Sequence, residues 1–113
     1  MNKQAKYVVI TKAIAKPGHL DTVAQLFAET NPALVSDQSD WLEAVFAADP
    51  DTNEITVLAF WANAESYQAF GSSDAFRSTM GQFALHLAGP PAVSVSSILV
   101  GMTQDSVWRF GFS

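Results

Sequence analysis

The chain has 113 residues, 49% of them hydrophobic and 15% charged, with a formal net charge of −5. That is one domain's length, with ample material for a core. The acidic balance argues against a nucleic-acid backbone as partner. The absence of cysteine removes disulfides, thiolate metal sites and a cysteine nucleophile. His19 and His86 are too few for a multi-imidazole metal centre within one chain. No stretch reaches the length of a membrane span. The first apolar run is cut by Thr11 and Lys12, too early for a signal core, so a cytoplasmic protein is expected.

Tyr7 to Ala15 (YVVITKAIA) is β-branched and bounded by Pro17-Gly18, which predicts a first strand. Leu20, Val23, Phe27, Asn31 and Leu34 then recur at helical spacing, and Asp21 suits the positive end of that helix. Asn31-Pro32 is expected to stop or kink it. A polar loop, Ser36 to Asp40, leads to a second strand at Trp41 to Ala47. Asp49 to Asn53 (DPDTN) has turn chemistry throughout, so Glu54 to Trp61 returns as the third strand of an antiparallel hairpin. Asn63 is placed to cap a helix over Ala64 to Phe70. Ser73 is placed to start another, carrying Phe76, Met80, Phe83 and Leu87 on one face until Gly89-Pro90-Pro91 ends it. Ala92 to Gly101 is the last strand of the core.

The order β-α-β-β-α-β implies an α+β, ferredoxin-like domain with two helices on one face of an antiparallel sheet. Residues 7–101 form its core. The tail, 102–113, alternates Trp108, Phe110 and Phe112, the pattern of an extra strand or an arm laid across a partner. In the third strand Ile55, Val57, Ala59 and Trp61 form one face, and Thr56, Leu58 and Phe60 the other. Both faces are largely apolar, although helices cover only one. The uncovered face is expected to meet its own copy, giving a homodimer of face-to-face sheets. Burying ~500 Å² of it would contribute roughly 12 kcal/mol before association costs.

The strand ending in Trp61 and continuing WANAESYQAF, the following SSDAF and the GPPAV before the last strand resemble the antibiotic-biosynthesis monooxygenase (ABM) domain. The likeness spans roughly Tyr7 to Gly101. It implies a dimeric α+β barrel. The nearest look is to small quinone-forming monooxygenases, which oxidise a phenolic ring with O2 and use no metal, flavin or haem. In that subgroup the Trp and the Tyr six residues later line the pocket, which implies such roles for Trp61 and Tyr67. Arg77 is the candidate for the subgroup's basic residue on the second long helix. Two positions depart from the pattern: Val57 stands where an Asn is expected and Ala47 where a His is. Haem-degrading relatives place an Asn, a Trp and a haem-ligating His at positions that look like Thr11, Phe70 and Met80 here. The missing His speaks against haem breakdown.

From the residues themselves, an apolar hollow between sheet and helices is expected, with Val57, Ala59 and Trp61 facing it and Ala59 leaving room. Tyr67 is positioned to hydrogen-bond a ring oxygen, or simply to pack its ring and solvate its hydroxyl. Arg77 is either a partner for a phenolate or an exposed solubilising charge. His86, near a helix end, is either a partner for the helix dipole or an acid–base group. His19, in its Pro-Gly-His turn, is expected at the surface, and Met80 and Phe83 in the core. Two function classes follow: a cofactor-independent monooxygenase acting on a small phenol, hydroquinone or anthrone-like ring, and a non-catalytic dimeric barrel that binds a small apolar ligand.

Overall fold

The structure, a computed structural model, describes residues 3–109. Strands β1 (Tyr7–Ile14), β2 (Trp41–Asp49), β3 (Glu54–Trp61) and β4 (Ala92–Ser97) form one antiparallel sheet in the order β2-β3-β1-β4. Helix α1 (Leu20–Val35) connects β1 to β2, while α2 (Ala64–Gly71) and α3 (Asp74–Ala84) connect β3 to β4. Each connection skips a strand, so all neighbouring strands run antiparallel. This is the α+β, ferredoxin-like arrangement expected from the element order. Among the described residues no helix is long and apolar enough to cross a membrane.

The local signals act where the sequence puts them. Asn63 Oδ1 accepts from the backbone N–H groups of Glu65 (2.8 Å) and Ser66 (3.3 Å), and Ser73 Oγ accepts from that of Phe76 (3.2 Å). Each cap satisfies amides that have no partner inside the helix. The β2–β3 turn closes with Asp49 Oδ1 accepting from the Asp51 amide, and Asn53 takes the left-handed conformation (φ 60°) that Asn tolerates. Gly18 supplies φ 80° before α1, where a side chain would be strained.

Three boundaries differ from expectation. α1 does not stop at Asn31 but runs through Pro32 to Val35. An interior proline costs roughly 3 kcal/mol. The extra turn buries Val35 against the group of Val9, Trp61 and Phe70, with Leu34 beside it. At about 1.5–3 kcal/mol per buried side chain, that offsets the proline. α3 ends at Ala84, well before the prolines, and Leu87 leaves the helix to bridge Ala15. The last strand is broken: β4 stops at Ser97, and β5 (Val100–Met102) pairs instead with β6 (Val107–Arg109) in a separate hairpin. The alternation read in the tail therefore begins as a strand at Trp108, while Phe110 and Phe112 lie outside the described residues.

The strand faces follow the alternation. Ile55 and Trp61 are buried on the helix side of β3 with Val57 and Ala59 between them, and Val9 and Ala13 are their counterparts on β1. On the opposite side Val8, Ile10, Leu58 and Phe60 are half-buried and Val45 is exposed, with no helix over them. β4 is exposed along its whole length.

Candidate functional site

A cavity of about 130 Å³ lies between sheet and helices. Its floor is the helix-side face of two central strands: Thr11 with its neighbours on β1, and Val57, Ala59 and Trp61 on β3. Period-two alternation puts these side chains on one level, and the small Ala59 leaves space above it. The roof comes from α1 and α3. On α1, Val23, Phe27, Thr30, Asn31 and Leu34 project together because three- and four-residue steps stay on one helical face. On α3, Phe76, Met80 and Phe83 do the same. The floor and roof draw on both buried groups of the core, one around Val23, Phe83 and Leu87 and the other around Trp61 and Phe70.

Trp61 governs one end of the cavity. It is 1% exposed, lies edge-on to Tyr67 (ring centroids 5.6 Å, 66° between planes) and is tilted against Phe70 at 5.3 Å. Phe70 in turn meets Phe76 edge-on at 5.1 Å. This chain of rings fixes the indole. Its Nε1–H is buried and has no hydrogen-bond partner among the described residues, a state that costs about 1–3 kcal/mol in a folded protein. Burial pushes the Tyr67 hydroxyl above its ordinary value, so at neutral pH it holds its proton and can donate.

The strand-to-helix corner that carries both residues is tied down from outside. Trp61 O accepts from the Lys6 amide (2.9 Å), and the Ala62 amide donates to Asp40 O (2.8 Å). The Asp40 carboxylate accepts from Lys3 Nζ and from Ser66 Oγ on α2, both at 2.5 Å. Lys3 first, and then the Ser66 hydroxyl, hold the Asp40 carboxyl below its usual value. Asp40 thus positions the start of α2, one residue before Tyr67.

The structure brings Trp61, Tyr67, Val57, Ala59, Thr11, Phe70 and Met80 to this one cavity. It leaves Arg77 exposed on α3, away from the walls. His86 is also outside the walls. Its Nδ1 faces Nδ1 of His19 at 3.0 Å, one ring donating and the other accepting. His19 is therefore half-buried in a pair and does not stand free at the surface. The pair staples the β1–α1 turn to the α3–β4 connection, alongside a hydrogen bond from the Lys16 amide to His86 O (2.9 Å).

Sequence reasoning missed the α1 wall and Trp41, which also borders the cavity. The α1 signal was present, since Thr30 and Asn31 continue the face of Val23 and Phe27. The spacing alone did not say that this face, with Asn31 and Leu34, roofs the cavity. Among the described residues, none that lines the walls carries a charge.

A family model described as Antibiotic biosynthesis monooxygenase matches residues 6–82. Among solved structures, the chain is similar to NE2512, a protein of unknown function from Nitrosomonas europaea. The TM-score is 0.73 and the identity 20%, over 90% of this chain and 97% of that one. It is also similar to a candidate antibiotic biosynthesis monooxygenase from Chloroflexus aurantiacus, with TM-score 0.68 and 22% identity over 88% and 98% of the two chains. A third is Rv0793 from Mycobacterium tuberculosis, with TM-score 0.72 and 14% identity over 88% and 100%. At these identities the structures speak for the fold alone. No curated protein sequence matches the chain.

Proposed function

Given that the chain belongs to the antibiotic biosynthesis monooxygenase family, we propose that it oxidises a small phenolic ring with O2 and without a cofactor. The observation that carries this reading is the apolar cavity with the Trp61 ring and Tyr67 at one end, where the Tyr67 hydroxyl keeps its proton. A phenol is electron-rich enough to reduce O2 itself. Its hydroxyl hydrogen atom passes to O2, the two radicals join at the para carbon, and loss of water from the hydroperoxide leaves a quinone. One oxygen atom enters the ring, the other departs as water, and the substrate supplies all the electrons. The protein's part is to hold the ring dry, bring O2 beside it and fix the phenolic oxygen with a hydrogen bond. The Tyr67 Oη–H is the group for that last task, and the buried Trp61 ring backs it.

Metal-free protein incubated with a hydroquinone and phenol panel should consume O2 above the buffer rate and form quinone, seen by absorbance. Tyr67→Phe should reduce turnover by about a hundredfold or more, as expected for loss of one directed donor, and Trp61→Phe should reduce it by loosening the wall against which the ring is held. Uptake no faster than buffer across the panel would remove the oxygenase reading.

A second reading, a non-catalytic barrel binding a small apolar ligand, is favoured by one observation: the walls contain no base, with Val57 and Ala47 at positions where the quinone-forming pattern has Asn and His. Ligand-induced quenching of Trp fluorescence without O2 uptake would select it. In either case we take the working unit to be a homodimer. The uncovered sheet face around Ile10, Leu58 and Phe60, and the exposed Val100, Met102 and Val107 of the hairpin, are apolar surface of the kind that meets a partner. Light scattering that found a stable monomer at micromolar concentration would overturn this.

A further inference from the structure

We infer that Asn31 of α1 is a ligand-binding residue of the cavity: its carboxamide hydrogen-bonds the hydroxyl or carbonyl oxygen of an aromatic ligand held over Ala59. This rests on the cavity being the ligand site, as proposed above, and adds the polar group that orients what enters.

Position comes first. Phe27, Asn31, Leu34 and Val35 share one face of α1, and all four border the cavity. That face is fixed over the sheet at two points. Phe27 stands against Phe46 at 5.2 Å between ring centroids, and Phe46 pairs with Val57 across the β2–β3 ladder. Val35 is packed into the group of Trp61. From Phe27 to Val35 the helix advances about 12 Å at its rise of about 1.5 Å per residue. From Val57 to Trp61 the strand advances about 13 Å. The two spans match, so Asn31, midway along the first, stands across from Ala59, midway along the second. Ala59 is the smallest side chain on that face of β3, which leaves room opposite Asn31.

The carboxamide is also uncommitted. Asn31 is half-buried and makes no side-chain hydrogen bond among the described residues, and unlike the Trp61 indole nitrogen its polar atoms are not sealed off. The neighbouring Thr30 hydroxyl, by contrast, donates its one proton back to Leu26 O at 2.7 Å. Thr11 and Thr79 border the cavity with a single hydroxyl each, and Asn31 is the one carboxamide among its described walls. A carboxamide carries two N–H donors and an acceptor oxygen. It can accept the proton of a phenol, or donate to a phenol or quinone oxygen.

Local preference gives no reason for Asn31. Asparagine is a weak helix former, and the residue before a proline is steered away from the helical conformation. The helix nevertheless holds Asn31-Pro32 in its interior. A side chain kept against local preference, with its hydrogen bonds unspent beside a cavity, fits a binding role.

The test is equilibrium binding under anaerobic conditions, which keeps it separate from oxidation. ¹⁵N-labelled wild-type protein and Asn31→Leu are titrated with 4-methylphenol and with toluene, which differ by one hydroxyl. The Asn31 side-chain NH2 resonances, assigned by their loss in Asn31→Leu, should move with 4-methylphenol far more than with toluene. Asn31→Leu should weaken 4-methylphenol by roughly tenfold or more, the factor of one lost hydrogen bond in a site closed to water. Toluene should bind the variant as tightly as wild type, or more tightly. Leucine is the better helix former, so the variant should fold; were it not to, the wild-type NH2 resonances still decide. An unchanged 4-methylphenol affinity in Asn31→Leu, an equal loss for both ligands, NH2 resonances that do not respond, or no binding of either ligand would overturn the inference. O2 uptake in air is read separately. Selectivity lost with Asn31 but without any uptake would end the oxygenase reading and leave this one standing, and uptake that persists in Asn31→Leu with selectivity intact would do the reverse.

Discussion

Trp61 and Trp108 both bury an indole N–H that has no partner among the described residues, yet their surroundings could hardly differ more. Trp61 sits at the end of a central strand, 1% exposed, held by Tyr67 and Phe70 and backed by a four-stranded sheet. Trp108 lies in a two-stranded hairpin, flat against Gly101, where a Cβ would come within 2.1 Å of its ring. The remainder of that hairpin is bare: Val100, Met102 and Val107 are 51%, 68% and 58% exposed. A lone hairpin is marginal in water. The same unsatisfied donor therefore sits in two settings, one sealed in a packed wall of the cavity and the other in a hairpin whose flanks are bare.

That contrast can be broken by experiment. The largest effect should come from Trp61→Ala, which removes a core aromatic and should cost about 3–5 kcal/mol. At 4–8 °C per kcal/mol for a domain near 100 residues, the melting temperature should fall by about 15 °C or more. Trp108→Ala should cost under about 1 kcal/mol in monomer stability and act instead on self-association, measured by sedimentation. Equal thermal penalties for the two would erase the distinction. Gly101→Val comes next. Its side chain must displace the Trp108 ring, so Trp108 fluorescence should shift to the red and dimer affinity should fall, while the cavity still binds its ligand.

Smaller effects come from titration. The Tyr67 hydroxyl is raised in the folded state, so the unfolded chain loses that proton first as pH climbs. The folded state is then progressively disfavoured from about pH 10 upward, until the folded hydroxyl also ionises. Tyr67→Phe should flatten this alkaline loss in a denaturant midpoint against pH. The Asp40 carboxyl is lowered, with the opposite sign: its contribution is present above the unfolded carboxylate range and fades as pH drops through the folded value. Because Asp40 is only half-buried and its partner Lys3 is exposed, solvent screens the pair, and Asp40→Asn should move stability least of all. It should act more visibly on Tyr67, whose helix it anchors.

Much of this was legible in the chain because the signals are local. DPDTN specifies a turn, Asn63 and Ser73 each cap within three residues, and alternation over Ile55, Val57, Ala59 and Trp61 names the cavity floor. What escaped was decided by distant contacts. Pro32 reads as a stop or a kink, and the burial of Leu34 and Val35 against the Trp61 group carries α1 past it, which adds these two residues to the cavity wall. The His19–His86 contact spans 67 positions, so neither residue's neighbours foretell it. Arg77 was the one basic residue available on the second long helix, but helical phase turns it outward.

The uncharged lining has one more consequence. A molecule that enters or leaves such a chamber neither releases nor takes up counter-ions, so its affinity should hold steady from dilute buffer to molar sodium chloride, apart from the mild salting-out shared by any apolar solute.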